Sequence, residues 1–124
     1  MAVRVFHRDE PDLMMPIISS DARLIVWPGV GAEVANMNYV VLEPGEQNVP
    51  HIHSESEDTI FIIEGKGSVQ DLSNGMRLEF EAGDAVHVPA GVEHAVCADR
   101  DSRIVSVGGP CPPDRHLLRL LGVE

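Results

Sequence analysis

Residues 45–65 read GEQNVPHIHSESEDTIFIIEG, and the layout of that stretch decides the fold. His51 and His53 stand two apart, so on an extended chain both imidazoles project from one face. An H-x-H pair alone is weak, because exposed strands carry such pairs by chance. Its surroundings are more specific. Glu43-Pro44-Gly45 is a turn that ends one extended segment and opens the next, and the acidic residues Glu55, Glu57 and Asp58 follow the pair. The run T-I-F-I-I at 59–63 is rich in β-branched and aromatic residues and predicts a strand. Strand alternation puts Asp58, Ile60 and Ile62 on one face and Glu57, Thr59 and Phe61 on the other.

Working outward, the same texture recurs. Segments 23–27, 37–42, 67–72, 76–80, 85–88, 94–98 and 103–107 are short and rich in Val, Ile and aromatics, and most stop at Gly, Pro, Asn or Asp, as strands of a sandwich or barrel do. Ser73-Asn74-Gly75 predicts a tight hairpin, with Asn-Gly supplying the positive φ angles. Gly83-Asp84 opens the strand A-V-H-V, and the turn Pro89-Ala90-Gly91 then delivers His94 to the start of the next strand, facing the histidine pair across a barrel. The tail PPDRHLLRLLG, residues 112–122, begins with Pro and Asp, ends at Gly and carries Leu117, Leu118, Leu120 and Leu121. It predicts a short C-terminal helix packed on the barrel. With no repeat and no linker, residues 1–124 are expected to form one domain.

Composition narrows the function classes. At 44% hydrophobic residues the 124-residue chain has material for one core. Twenty Asp and Glu against nine Lys and Arg give a formal charge of −11, which argues against nucleic acid and against anionic membrane surfaces. The start M-A-V-R-V-F-H-R-D-E lacks the apolar run of a secretory signal, and no later stretch approaches a membrane span, so a cytoplasmic protein is expected. Cys97 and Cys111 show no C-x-x-C spacing and are expected to be reduced structural thiols.

Residues 45–65 and 83–98 resemble the two motifs of the cupin superfamily. In the first, Gly45, His51-Ile52-His53, Asp58 and Gly65 fall at the family's glycine, H-x-H, acidic-ligand and glycine positions. In the second, Gly83, Pro89, Gly91 and His94 match in full, and the stretch E-G-K-G-S-V resembles the family's turn between motif strands. Ala98 stands where the family often has Asn, a position not usually used as a ligand. The resemblance implies an all-β jelly-roll, the double-stranded β-helix barrel, and one divalent transition metal held by His51, His53, His94 and a carboxylate. The family usually has Glu at the acidic position. Counting back from Gly65 gives Asp58, whereas a bulge would turn Glu57 inward instead.

Three imidazoles and a carboxylate suit Mn, Fe, Co, Ni, Cu or Zn, with zinc, manganese or iron favoured, and on a six-coordinate ion they leave up to two positions for water, dioxygen or a chelating substrate. The cupin resemblance then implies an enzyme acting on a small oxygen-bearing molecule, of dioxygenase, decarboxylase, isomerase, lyase or cyclase type. The alternative is a non-catalytic barrel that binds or senses a small ligand. Ile60, Ile62, Val86 or Val88 and Val96 are expected to make the cavity wall apolar. His87 alternates with Val86 and Val88 and should face away from them, Glu93 is a minor candidate for orienting an imidazole, and Trp27 and Tyr39 serve the core or an interface. His7 and His116 lack ligand spacing. A homodimer is expected, with the segment V-R-V-F-H adding a strand to a neighbour.

Overall fold

The alternating run around Asp58 forms the central strand. In the computed structural model, which describes residues 2–120 and 122, this run is β4 (Glu57–Glu64), with Asp58 and Ile62 buried and Glu57, Thr59 and Phe61 exposed. The chain runs β1 (Leu13–Met14), β2 (Asp21–Val26), β3 (Met37–Leu42), β4, β5 (Lys66–Asp71), β6 (Met76–Glu81), β7 (Ala85–Val88), β8 (His94–Ala98), β9 (Ile104–Cys111) and a helix, α1 (Arg115–Leu120). Six strands form one sheet in the order β1-β2-β3-β9-β4-β7, and three form a second in the order β6-β5-β8. Every described pairing is antiparallel. The segment before the histidine pair extends the smaller sheet through bridges from Gln47 to Cys97 and from His51 to His94.

The two sheets close on Ile62, Leu42, Phe80, Val96 and Ile104, a jelly-roll as expected. Ile62 is fully buried, and burying one such side chain contributes about 1.5–3 kcal/mol. A second cluster, of Met15, Ala22, Leu24, Trp27 and Leu118, packs α1 against the N-terminal strands. Trp27 is thus a core residue, while Tyr39 is half-buried beneath the Arg23 guanidinium. Leu121, part of the expected helix, lies outside the described residues.

Some boundaries differ from the sequence expectation. The last strand continues past Val107 through Gly108-Gly109-Pro110 to Cys111. Glycine acts here as a spacer rather than a stop. At Gly108 (φ 135°) a Cβ would lie 1.9 Å from the Thr59 carbonyl oxygen, so only glycine lets β9 approach β4 this closely. The Ser73-Asn74-Gly75 turn spans residues 72–75, and among the described residues only glycines take positive φ. Asn74 therefore does not, because the Asp71 carboxylate accepts hydrogen bonds from its backbone N–H (2.9 Å) and its Nδ2 (2.8 Å). The short β1 was not expected, and Val3 and Val5 are exposed outside any strand. No described helix is long and apolar enough to cross a membrane.

Candidate metal centre

Backbone hydrogen bonds bring the two motifs together. His51 and His94 exchange N–H···O=C bonds of 3.0 Å in each direction, and the Gly91 N–H donates to the His53 carbonyl at 2.9 Å. Directly opposed residues on neighbouring strands hold their side chains close, and the His51 and His94 rings lie 4.3 Å apart between centroids. His53 is 4.8 Å from His51 and 5.6 Å from His94 on the same measure. From the facing sheet β4 contributes Asp58, whose Oδ2 lies 3.4 Å from His53 Nε2 and 3.6 Å from His94 Nε2. One ligand atom from each of His51, His53, Asp58 and His94 falls within 4.8 Å of all the others.

Each imidazole is held by its other nitrogen. Nδ1 of His51 meets the Val49 carbonyl at 2.7 Å, Nδ1 of His94 meets the Val92 carbonyl at 3.0 Å, and Nδ1 of His53 meets Asp114 Oδ2 at 2.6 Å. An acceptor at Nδ1 places the proton there and leaves the Nε2 lone pair free. Two buried atoms of the cluster, His94 Nε2 and Asp58 Oδ1, have no hydrogen-bond partner among the described residues. Orphaned buried polar atoms are costly, and a cation at the centre of the cluster would satisfy both. The Asp58-to-histidine separations of 3.4 and 3.6 Å are close to the roughly 3.0–3.5 Å that donors bound at about 2.0–2.2 Å around one ion keep from their neighbours, and the whole set, spread over up to 4.8 Å, would draw in around the ion.

The electrostatics follow from burial and charge. Burial pushes the pKa of His51 down, and the two neighbouring imidazoles add to that. Burial works in the same direction on His53, yet hydrogen bonds and charge from Asp58 and Asp114 outweigh it and raise its pKa. Burial would raise Asp58, but its contacts with His53 and His94 hold it below the usual carboxylate range, and His53 does the same for Asp114.

The structure separates the two candidate carboxylates. Asp58 is 5% exposed and belongs to the cluster, while Glu57 points outward to accept a 2.7 Å hydrogen bond from Nε2 of exposed His87. Glu93 is not the residue that orients a ring; that residue is Asp114, which the sequence reading passed over. Asp114 lies 61 positions beyond His53, and its only sequence signal was its place at the start of the helix. The cavity beside the cluster, about 60 Å³, is walled by Ile60, Val96, Val40, Leu42, Met15 and Leu117, with Asn38, Asn48 and Ser106 as polar groups. Ile60 and Val96 line it as expected, whereas Ile62 belongs to the core, and Val86 and Val88 border a separate cavity of about 340 Å³ that reaches His94.

A family model described as Cupin domain matches residues 38–108. The chain belongs to the cupin family. This cupin is 29% identical over 100 residues to the polyketide synthase CurC of Streptomyces cyaneus, covering 78% of this chain and 64% of that protein. It is 30% identical over 81 residues to the oxalate oxidase GF-3.8 of Triticum aestivum, covering 60% of this chain and 36% of that one. The chain therefore spans about a third of the length of its oxalate oxidase relative. Among solved structures, the polyketide cyclase RemF from Streptomyces resistomycificus superposes with a TM-score of 0.72 at 22% identity, covering 91% of this chain and 83% of RemF, a likeness of fold.

Proposed function

We propose that this cupin is an enzyme that holds one divalent transition metal ion through Nε2 of His51, His53 and His94 and the carboxylate of Asp58, and acts on a small oxygen-bearing organic molecule. The observation that carries the reading is the set of three Nδ1 contacts, which leave three Nε2 lone pairs free in a cluster whose ligand atoms, a buried carboxylate among them, lie within 4.8 Å of one another. The donor set suits Mn, Fe, Co, Ni, Cu or Zn. When bound, such an ion supplies Lewis-acid polarisation of a coordinated oxygen, or a site for dioxygen.

The chain's own groups supply the rest. Ile60, Val96, Leu42 and Leu117 keep bulk water from the substrate, and the Asn38 amide offers a buried Oδ1 that no group among the described residues satisfies. A cavity of about 60 Å³ has room for a few water-sized groups, so a carboxylate, enolate or hydroxyl oxygen is the part of the substrate that enters it. The oxalate oxidase and polyketide synthase relatives support oxygen-rich substrates of this kind. The test is metal analysis of protein purified without added metal, followed by assays for oxygen consumption and for decarboxylation of small organic acids. Bound metal with turnover is expected. Protein that carries no metal, and gains no heat stability from Mn, Fe, Ni or Zn, would overturn the proposal.

A further inference from the structure

We propose that Asp114 is a positioning residue whose single carboxylate couples docking of α1 to metal loading; this rests on the metal centre proposed above. Its Oδ2 holds Nδ1 of His53 at 2.6 Å, while its Oδ1 accepts the Leu117 N–H at 3.1 Å and so caps the helix. The same two oxygens therefore fix a ligand ring and the first turn of α1. The path between them is pinned. Ser56, two residues before Asp58, donates its hydroxyl to the Pro112 carbonyl at 2.6 Å, and Asn36 Nδ2 donates to the Pro110 carbonyl at 3.1 Å.

The helix is too short to persist unaided, since isolated helices under about 12 residues are marginal in water. Its place depends on Leu118, buried against Met15, Leu24 and Trp27, and on the Asp114 cap. Leu117 of the same turn lines the cavity beside the histidines. Docking the helix thus orients His53 and closes one end of the cavity together. Coupling of this kind is reciprocal: whatever the docked helix adds to metal affinity, bound metal returns to helix docking. Removing an outer partner of a metal-bound histidine typically weakens metal binding by about 10–100-fold.

The test uses the full chain with zinc alone as probe. Asp114→Ser keeps a good helix cap but is too short to reach His53, and Leu118→Ala weakens docking without touching the site. Zinc affinity is read by competition with a chromophoric chelator, and amide hydrogen exchange over residues 115–120 is read with and without zinc. The expected results are zinc binding at least about tenfold weaker in Asp114→Ser, a smaller loss in Leu118→Ala, and zinc-induced slowing of exchange at 115–120 in the wild type that Asp114→Ser abolishes. Wild-type affinity in Asp114→Ser, or wild-type exchange at 115–120 that zinc leaves unchanged, would overturn the coupling alone. A wild-type chain that takes up no zinc would instead overturn the zinc-holding centre on which the coupling rests.

Discussion

Asp58→Asn distinguishes a metal centre from a structural ion-pair cluster, because the two assign opposite signs to the substitution. The Nδ1 contacts of His53 and His94 make their Nε2 atoms acceptors once the rings are neutral. In metal-free protein at alkaline pH, where His53 has lost its proton, Asp58 then presents a 5%-exposed carboxylate to two acceptors at 3.4 and 3.6 Å, with its other oxygen orphaned. An unsatisfied buried polar group costs about 1–3 kcal/mol. Asn has the same shape, carries no charge and donates through Nδ2 to those lone pairs, so the metal-free variant is expected to be more stable by about 1–3 kcal/mol. For a chain of this size that raises Tm by about 4–12 °C. With zinc at about a hundred times the wild-type Kd, the wild type gains about 2.7 kcal/mol and the variant gains little, which cancels most of the variant's advantage and reverses the ranking wherever that advantage is below about 2.7 kcal/mol. Differential scanning calorimetry at that alkaline pH, in chelator and in zinc, reads both states. A variant less stable than wild type in chelator, with equal zinc-induced gains in the two proteins, would refute the reasoning.

Metal affinity is expected to fall as pH drops through the raised pKa of His53, because metal binding displaces its proton, so the loss begins above pH 6.5; chelator competition across pH reads it. In the metal-free protein the raised His53 pKa contributes stability that is present below its ordinary value and lost as pH rises through the folded one. The lowered Asp58 and Asp114 pKa values contribute stability that is present above the ordinary carboxylate value and lost as pH falls through the folded ones. The lowered His51 pKa withdraws stability as pH falls below its ordinary value, so urea midpoints of metal-free protein should be highest near pH 6.5 and fall toward both acid and alkali. Gly108→Ala should destabilise by about 3 kcal/mol or prevent folding, since its Cβ would sit 1.9 Å from the Thr59 carbonyl oxygen at a φ of 135°; urea unfolding measures it. Glu57→Ala breaks the surface pair with His87, and should shift stability by less than about 0.5 kcal/mol and leave the zinc Kd unchanged.

What the sequence disclosed, it disclosed through period and spacing. Two-residue alternation separated Asp58 from Glu57 because β4 is regular from Glu57 to Ile62; its register shift comes only afterwards, between Ile62 and Glu64. His94 was legible because the Pro89-Ala90-Gly91 turn places it at the first position of β8, although it stands bonded directly beside His51 rather than across the barrel from the pair as expected. The end of β9 was missed because a glycine that breaks a strand and a glycine that allows two backbones to touch look alike in sequence, and the difference lies in Thr59, 49 residues away from Gly108. Asp114 was missed for a related reason. Its local pattern announces a helix start, which is correct, but its second oxygen has a partner that only the folded chain brings near.

The reciprocal hydrogen bonds between His51 and His94, and the bond from Gly91 to the His53 carbonyl, are made by main-chain atoms alone. Such bonds are indifferent to which side chain stands at positions 51, 53 or 94. The frame is therefore a socket set by the main chain, and a donor exchanged at 51, 53 or 94 is expected to leave the sheets in register while shifting the preference of the proposed centre from imidazole-loving toward oxygen-loving metals.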